Sequence, residues 1–184
     1  MGRQSNERIA IFIDGRNFYH GVKNIKKDGF KIRLQEIVND LVRKRKLITV
    51  FYYNALLDKK YDPEMYKVHN KFIDIVRKFP KFKVVLCDSR KITEKDGSVR
   101  YDTKGDDVCL TTDLLMGAFD NLYDTAIIIS GDADFIPVIK ILRERFKKKI
   151  GNGYFRRTSS YKLRRTCDFS VNLNKTIIGL NEKG

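Results

Sequence analysis

Six aspartates in three separate stretches hold the chemistry of this sequence. Asp14 closes the apolar run in "RIAIFID". Asp106, Asp107 and Asp113 lie in "KGDDVCLTTD", and Asp132 and Asp134 sit two apart in "IIISGDADF". Carboxylates gathered in one place repel each other unless cations neutralise them. Oxygen-only donor sets suit Mg²⁺ or Mn²⁺. Such ions activate water and stabilise the leaving oxygen of a phosphodiester. The test of that chemistry is whether the three stretches converge.

Each residue also has a plainer reading. Asp-Gly is a common turn pair, so Asp14 can simply begin a turn. Asp134 can cap the helix that continues through Pro137. Asp106 and Asp107 can be first-turn acids worth roughly a few tenths of a kcal/mol. Asp113 is six residues after Asp107, about 600° round a helix, so the two do not share a face. Asp106 and Asp113 nearly do. Asp113 is thus either an accessory acid or the buried partner of a basic side chain. Asn17, three after Asp14, either orients a water or phosphate or caps a helix. Arg16 and Lys104 flank the acids; each is a phosphate ligand or an ordinary surface charge. His20 and His69 have no Cys or His partner nearby in sequence, and neither is assigned a catalytic role.

The flanking elements decide between these readings. Short, near-continuous apolar strands are expected at 8–14, 47–56, 82–88 and 124–130, and a last strand with a Gly-rich turn at 148–157. Helical spacing marks 33–46, 63–79, 106–119 and 134–146, with a short helix near 159–166. "RKITEKDGSVRYD" alternates around Asp96-Gly97 and reads as a hairpin. Alternating strands and helices imply an α/β fold with three layers and a central, mainly parallel sheet. Ligands of such sheets bind outside the carboxyl ends of the strands. That edge is where Asp14 and Asp132 fall, and they converge if their strands are neighbours. No linker or repeat interrupts 1–184, so one domain is expected, with its core at about 8–173.

Charge points to the partner. The net charge is +15. Between Tyr101 and Asp134 there are eight aspartates and one lysine, so the remainder carries 37 basic against 15 acidic residues. Basic surface attracts polyanions such as nucleic acid. The pairs Arg156-Arg157 and Arg164-Arg165, with Tyr154, Phe155 and Tyr161 between and beside them, fit a nucleic-acid strand. The run "RKRK" at 43–46 fits helix C-terminal capping equally well. No apolar run approaches the 18 or so residues of a membrane span. The N-terminus lacks a signal-peptide layout, and three scattered cysteines suggest free thiols, so a cytoplasmic setting is expected.

"IFIDGRNFYHGV", "KGDDVCLTTDLL" and "SGDADFIPVIK", in that order, resemble the NYN domain family of PIN-like ribonucleases, most closely its LabA-like branch. "SSYKLRRTCDFSVNL" is similar to the closing segment of that branch. The resemblance spans 8–173. It implies a PIN-like α/β/α fold and a pocket holding Mg²⁺ or Mn²⁺. It assigns the family's first acid to Asp14, its asparagine to Asn17 and its Lys-Gly-x-Asp motif to Lys104, Gly105 and Asp107. It places the helix acid at Asp113 and the last pair at Asp132 and Asp134, with Ser130 as a supporting hydroxyl. Ala133 and Arg16 depart from the usual residues, but no core acid is missing.

The expectation is a metal-dependent endoribonuclease that cleaves single-stranded RNA with a metal-activated water. Asp14, Asp107, Asp132 and Asp134 would bind metal, while Arg16, Lys104 and the two arginine pairs would hold RNA. A homodimer is compatible with this. The alternative is a non-catalytic RNA-binding or protein-interaction module of the same fold. A haloacid dehalogenase-type phosphatase needs an acid where Arg16 stands, and a Toprim site needs Glu at Asp14.

Overall fold

The computed structural model describes residues 5–25, 31–55, 63–93, 96, 99–103 and 105–182. The first strand, β1 (Arg8–Asp14), is buried from Ile9 through Ile13. A strand buried on both faces has no reason to alternate polar with apolar residues, hence the run "IAIFI". Its side chains still alternate in direction. Ile9, Ile11 and Ile13 enter one core, and Ala10 and Phe12 the other.

Helices α1 (Gly15–Lys23), α2 (Leu34–Val42) and α3 (Pro63–Arg77) contribute to the first core, as does α7 (Leu173–Glu182). Helices α4 (Asp106–Phe119), α5 (Ile136–Glu144) and α6 (Tyr161–Thr166) pack into the second. Between the two lie β1, β2 (Lys46–Ala55), β3 (Phe82–Cys87), β6 (Thr125–Ile129), β7 (Lys149–Tyr154) and β8 (Phe169–Asn172). They form one six-stranded sheet in the order β3-β2-β1-β6-β7-β8, with every pairing parallel. This is the three-layer α/β arrangement that the pattern predicts. A separate antiparallel hairpin, β4 (Ser89–Thr93) with β5 (Val99–Thr103), fills the connection from β3 to α4.

The strand order reverses at β1. The chain first winds outward through β2 and β3, then returns to the other side of β1 with β6. Ile13 pairs with Ile129, so Asp14 and Ser130 emerge side by side. That crevice is the switch point where doubly wound sheets bind ligands.

The region after residue 148 differs from expectation. Gly151 and Gly153 lie inside β7, not in a turn, and β7 is followed by a further strand. The Phe169 ring occupies the place that a Cβ on Gly151 would take. Phe155 is also buried, its ring edge-on to Phe18 at 5.7 Å, so it is core and not part of a nucleic-acid surface. The expected helix at 134–146 opens with a 3-10 turn, Ala133–Phe135, before α5. The "RKRK" run ends α2: the Arg45 guanidinium donates to the Leu41 and Val42 carbonyls.

Candidate carboxylate site

Asp14 is the N-cap of α1. Its Oδ1 accepts the Asn17 backbone N–H at 2.9 Å, and its Oδ2 accepts the Ser130 hydroxyl at 2.8 Å. Gly15 is demanded here, because a Cβ would collide with the Tyr53 carbonyl oxygen. Thus Asp14 opens a helix as its N-cap, and the same cap fixes the carboxylate that faces the crevice.

Ser130 is held from three sides. It is 1% exposed. Its carbonyl accepts the buried Asn152 amide at 2.9 Å, and that amide also reaches Ile128 O at 3.0 Å. Its Oγ accepts the Asp132 N–H at 3.1 Å while donating to Asp14. Asp132 then caps the 3-10 turn, its Oδ1 accepting the Asp134 N–H at 2.9 Å. The capping aspartate of "SGDADF" is therefore Asp132, and the capping reading of Asp134 is corrected. Gly131 lies so close to the next loop that a Cβ would strike the Thr158 carbonyl oxygen. The Ser160 N–H donates to Gly131 O at 2.9 Å and closes that contact.

The third stretch arrives with α4. Gly105 precedes it at φ +90°, a left-handed turn that favours glycine, and Asp106 and Asp107 open its first turn. Asp14, Asp106, Asp107 and Asp132 line one pocket of about 460 Å³, together with Arg16, Asn17, His20 and Thr158. The Thr158 hydroxyl is buried and, among the described residues, has no hydrogen-bond partner. Sequence reasoning passed over Thr158, and it also set His20 aside. The only signal for Thr158 was a hydroxyl run, "TSS", directly after an arginine pair.

Negative charge dominates the pocket, four aspartates standing against Arg16. Burial pushes the Asp107 carboxyl up to about 6, and the negative charges of Asp106, Asp14, Asp132 and Asp134 add to the rise. Burial also raises Asp14, with Asp106 and Asp132 adding to it; the Asn17 N–H and Ser130 hydroxyl work against it. The donor set fits a hard divalent cation: all oxygen, mutually repelling, converging from three segments. Among the described residues, however, no three His, Cys, Asp or Glu side chains stand grouped to hold an ion as they are.

Two of the six acids do not line the pocket. Asp134 is exposed beside it and acts on Asp107 through its charge. Asp113 accepts the Tyr53 hydroxyl at 2.8 Å, so the partner shown is a phenol where a basic side chain was one expectation. Of the basic residues, Arg16 lines the pocket, and Arg156 and Arg157 are exposed just before Thr158. Arg164 lies over the Tyr154 ring at 4.6 Å and the Tyr161 ring at 5.7 Å, and Arg165 is exposed. Lys104 lies outside the described residues. Among those residues, no helix is long and apolar enough to cross a membrane.

An all-parallel α/β sheet with aspartates collected at its switch point defines a doubly wound α/β protein, and it accords with the PIN-like nuclease fold of the family that this chain matches. The chain belongs to the NYN domain family, whose model matches residues 8–174. No curated protein shows a match to it. A crystal structure of a protein of unknown function from Vibrio parahaemolyticus is similar, with TM-score 0.65 and 24% identity over 94% of this chain and 96% of that one. At that identity the likeness speaks for the fold alone.

Proposed function

We propose that the protein is a metal-dependent endoribonuclease of the LabA-like branch, acting on single-stranded RNA. One observation carries the reading: acids from three distant segments line a single pocket, beside exposed arginines in a chain of net charge +15. Asp14, Asp107 and Asp132 are the residues that would hold Mg²⁺ or Mn²⁺, with Asp134 at the margin. A bound ion of this kind supplies Lewis acidity toward water and the phosphate oxygens.

The chain's own groups set the geometry. Ser130 and the Asn17 N–H each engage one oxygen of Asp14 and so fix the plane of its carboxylate. Asn152 anchors Ser130 in turn. Arg16 and His20 line the same pocket and can donate to phosphate oxygens. Asp113, engaged by Tyr53, steadies α4 against β2 and so the placing of Asp107. Arg156 and Arg157 extend the positive rim along which the RNA backbone runs.

The experiment is cleavage of an end-labelled single-stranded RNA in Mn²⁺, Mg²⁺ or EDTA. Internal fragments are expected in Mn²⁺ and none in EDTA. Asp132→Asn should slow cleavage on the order of a hundredfold or more, with RNA binding in EDTA retained. Equal activity in the variant removes the site assignment. Binding without cleavage under any metal transfers the reading to a non-catalytic RNA-binding module.

A further inference from the structure

A second cavity adjoins the carboxylate pocket. It measures about 490 Å³, within the range of small-ligand sites. Its walls are aromatic and aliphatic, among them Phe18, Tyr19, Tyr52 and Phe72. Two features show that this is more than a gap in the core. Tyr19 lines it and is 51% exposed, so an entering ligand can reach the face of an aromatic ring. His69, from α3, lines it with both ring nitrogens buried and, among the described residues, without a hydrogen-bond partner. Asn70 is near enough to favour the charged ring, yet completes no bond of normal geometry, and burial holds the imidazole below its usual value. Buried polar atoms left unpaired in a folded protein call for a partner.

The two pockets meet at α1. Arg16 lines both. Tyr19, in the apolar cavity, packs edge-on at 5.5 Å against His20, in the carboxylate pocket. A ligand spanning them needs an anionic end for the carboxylate pocket, where a cation and Arg16 would receive it. Its other end must be flat and apolar with hydrogen-bonding edges. A nucleotide has that form.

We infer that the apolar cavity receives a nucleobase of the RNA strand, adjacent to the phosphate held at the carboxylates. This rests on the reading of the carboxylate pocket as a phosphate site. The base stacks on Tyr19, as bases of unpaired strands stack on aromatic side chains. His69 meets its polar edge, with the Asn54 amide also in the wall. Base pairing would bar entry, so the cavity selects unpaired RNA.

The test compares the four nucleoside 5′-monophosphates with ribose 5-phosphate, by calorimetric titration of the full chain in Mn²⁺. The nucleotides are expected to bind roughly tenfold more tightly than ribose 5-phosphate, the scale of one base–aromatic stack. Tyr19→Ala should abolish that margin, read as the ratio of nucleotide to ribose 5-phosphate affinity; Tyr19 is exposed, so the fold tolerates the change. His69→Leu should level the ranking among the four bases. Equal affinity for nucleotide and sugar phosphate, or a margin that survives in both variants, overturns the inference. The nuclease reading fails separately, through absent cleavage, so base-dependent binding without cleavage leaves the cavity assignment standing.

Discussion

At the scale of single residues, Ser130 does more than any acid to define the site. Its hydroxyl donates to Asp14 and accepts from the Asp132 N–H, so one Oγ ties two strand ends together. Ser130→Ala leaves a buried carboxylate oxygen and a backbone N–H without partners. The expected cost is about 1–3 kcal/mol, read as a lower urea midpoint at unchanged slope. An unchanged midpoint would show that water satisfies both groups. Asp14 and Asp132 were legible in the sequence because each follows an apolar run, and the end of a buried strand is a place that pattern reveals. Thr158 was not, because its burial against Gly131 depends on a contact between segments 27 residues apart. Asp113 reads from the sequence as an acid on a helix with two open roles; its bond to Tyr53 is what places it.

At the scale of elements, the joints matter more than the strands they connect. β6 delivers Asp132 through a turn that is pressed against the loop before α6. Backbone meets backbone there, so neither side can rotate away as a side chain could. Gly131→Ala should therefore cost about 3 kcal/mol or more and displace Asp132 together with Thr158. Thermal unfolding would register the first effect; loss of Mn²⁺-dependent cleavage would register the second. A variant of full stability would mean that the loops separate freely. Some long elements, such as α4 at Asp106–Phe119, were readable to the residue. β8 and α7 were not. "FSVN" is four residues with two polar ones, and α7 carries Asn174 and Gly179 within its ten. Both exist because β7 offers an edge and the first core needs Leu173 and Ile177 to close it. Those are tertiary reasons, which local pattern does not contain.

At the scale of the whole molecule, charge is sorted by position. Aspartates gather at the carboxyl end of the central strands, while basic residues dominate the remainder of the chain. On the proposed reading, a polyanion would be drawn in by that remainder and repelled by the pocket unless a cation is present, so binding should show two separable electrostatic terms. The rim term follows from counterion release. Each phosphate contact on a single strand contributes about 0.7 to the slope of log affinity against log salt. Arg156 and Arg157 are both exposed beside Thr158. If each meets one phosphate, the double substitution Arg156→Ala, Arg157→Ala should lower the slope by roughly 1.4. Affinity at low salt should fall with it, while the cleavage rate of RNA already bound should change little. Fluorescence anisotropy of a labelled oligonucleotide across a salt series measures the slope, and single-turnover cleavage measures the rate. An unchanged slope would take these arginines off the RNA path. A loss confined to the single-turnover rate would instead bring them into the pocket, as donors to the phosphate that is cut.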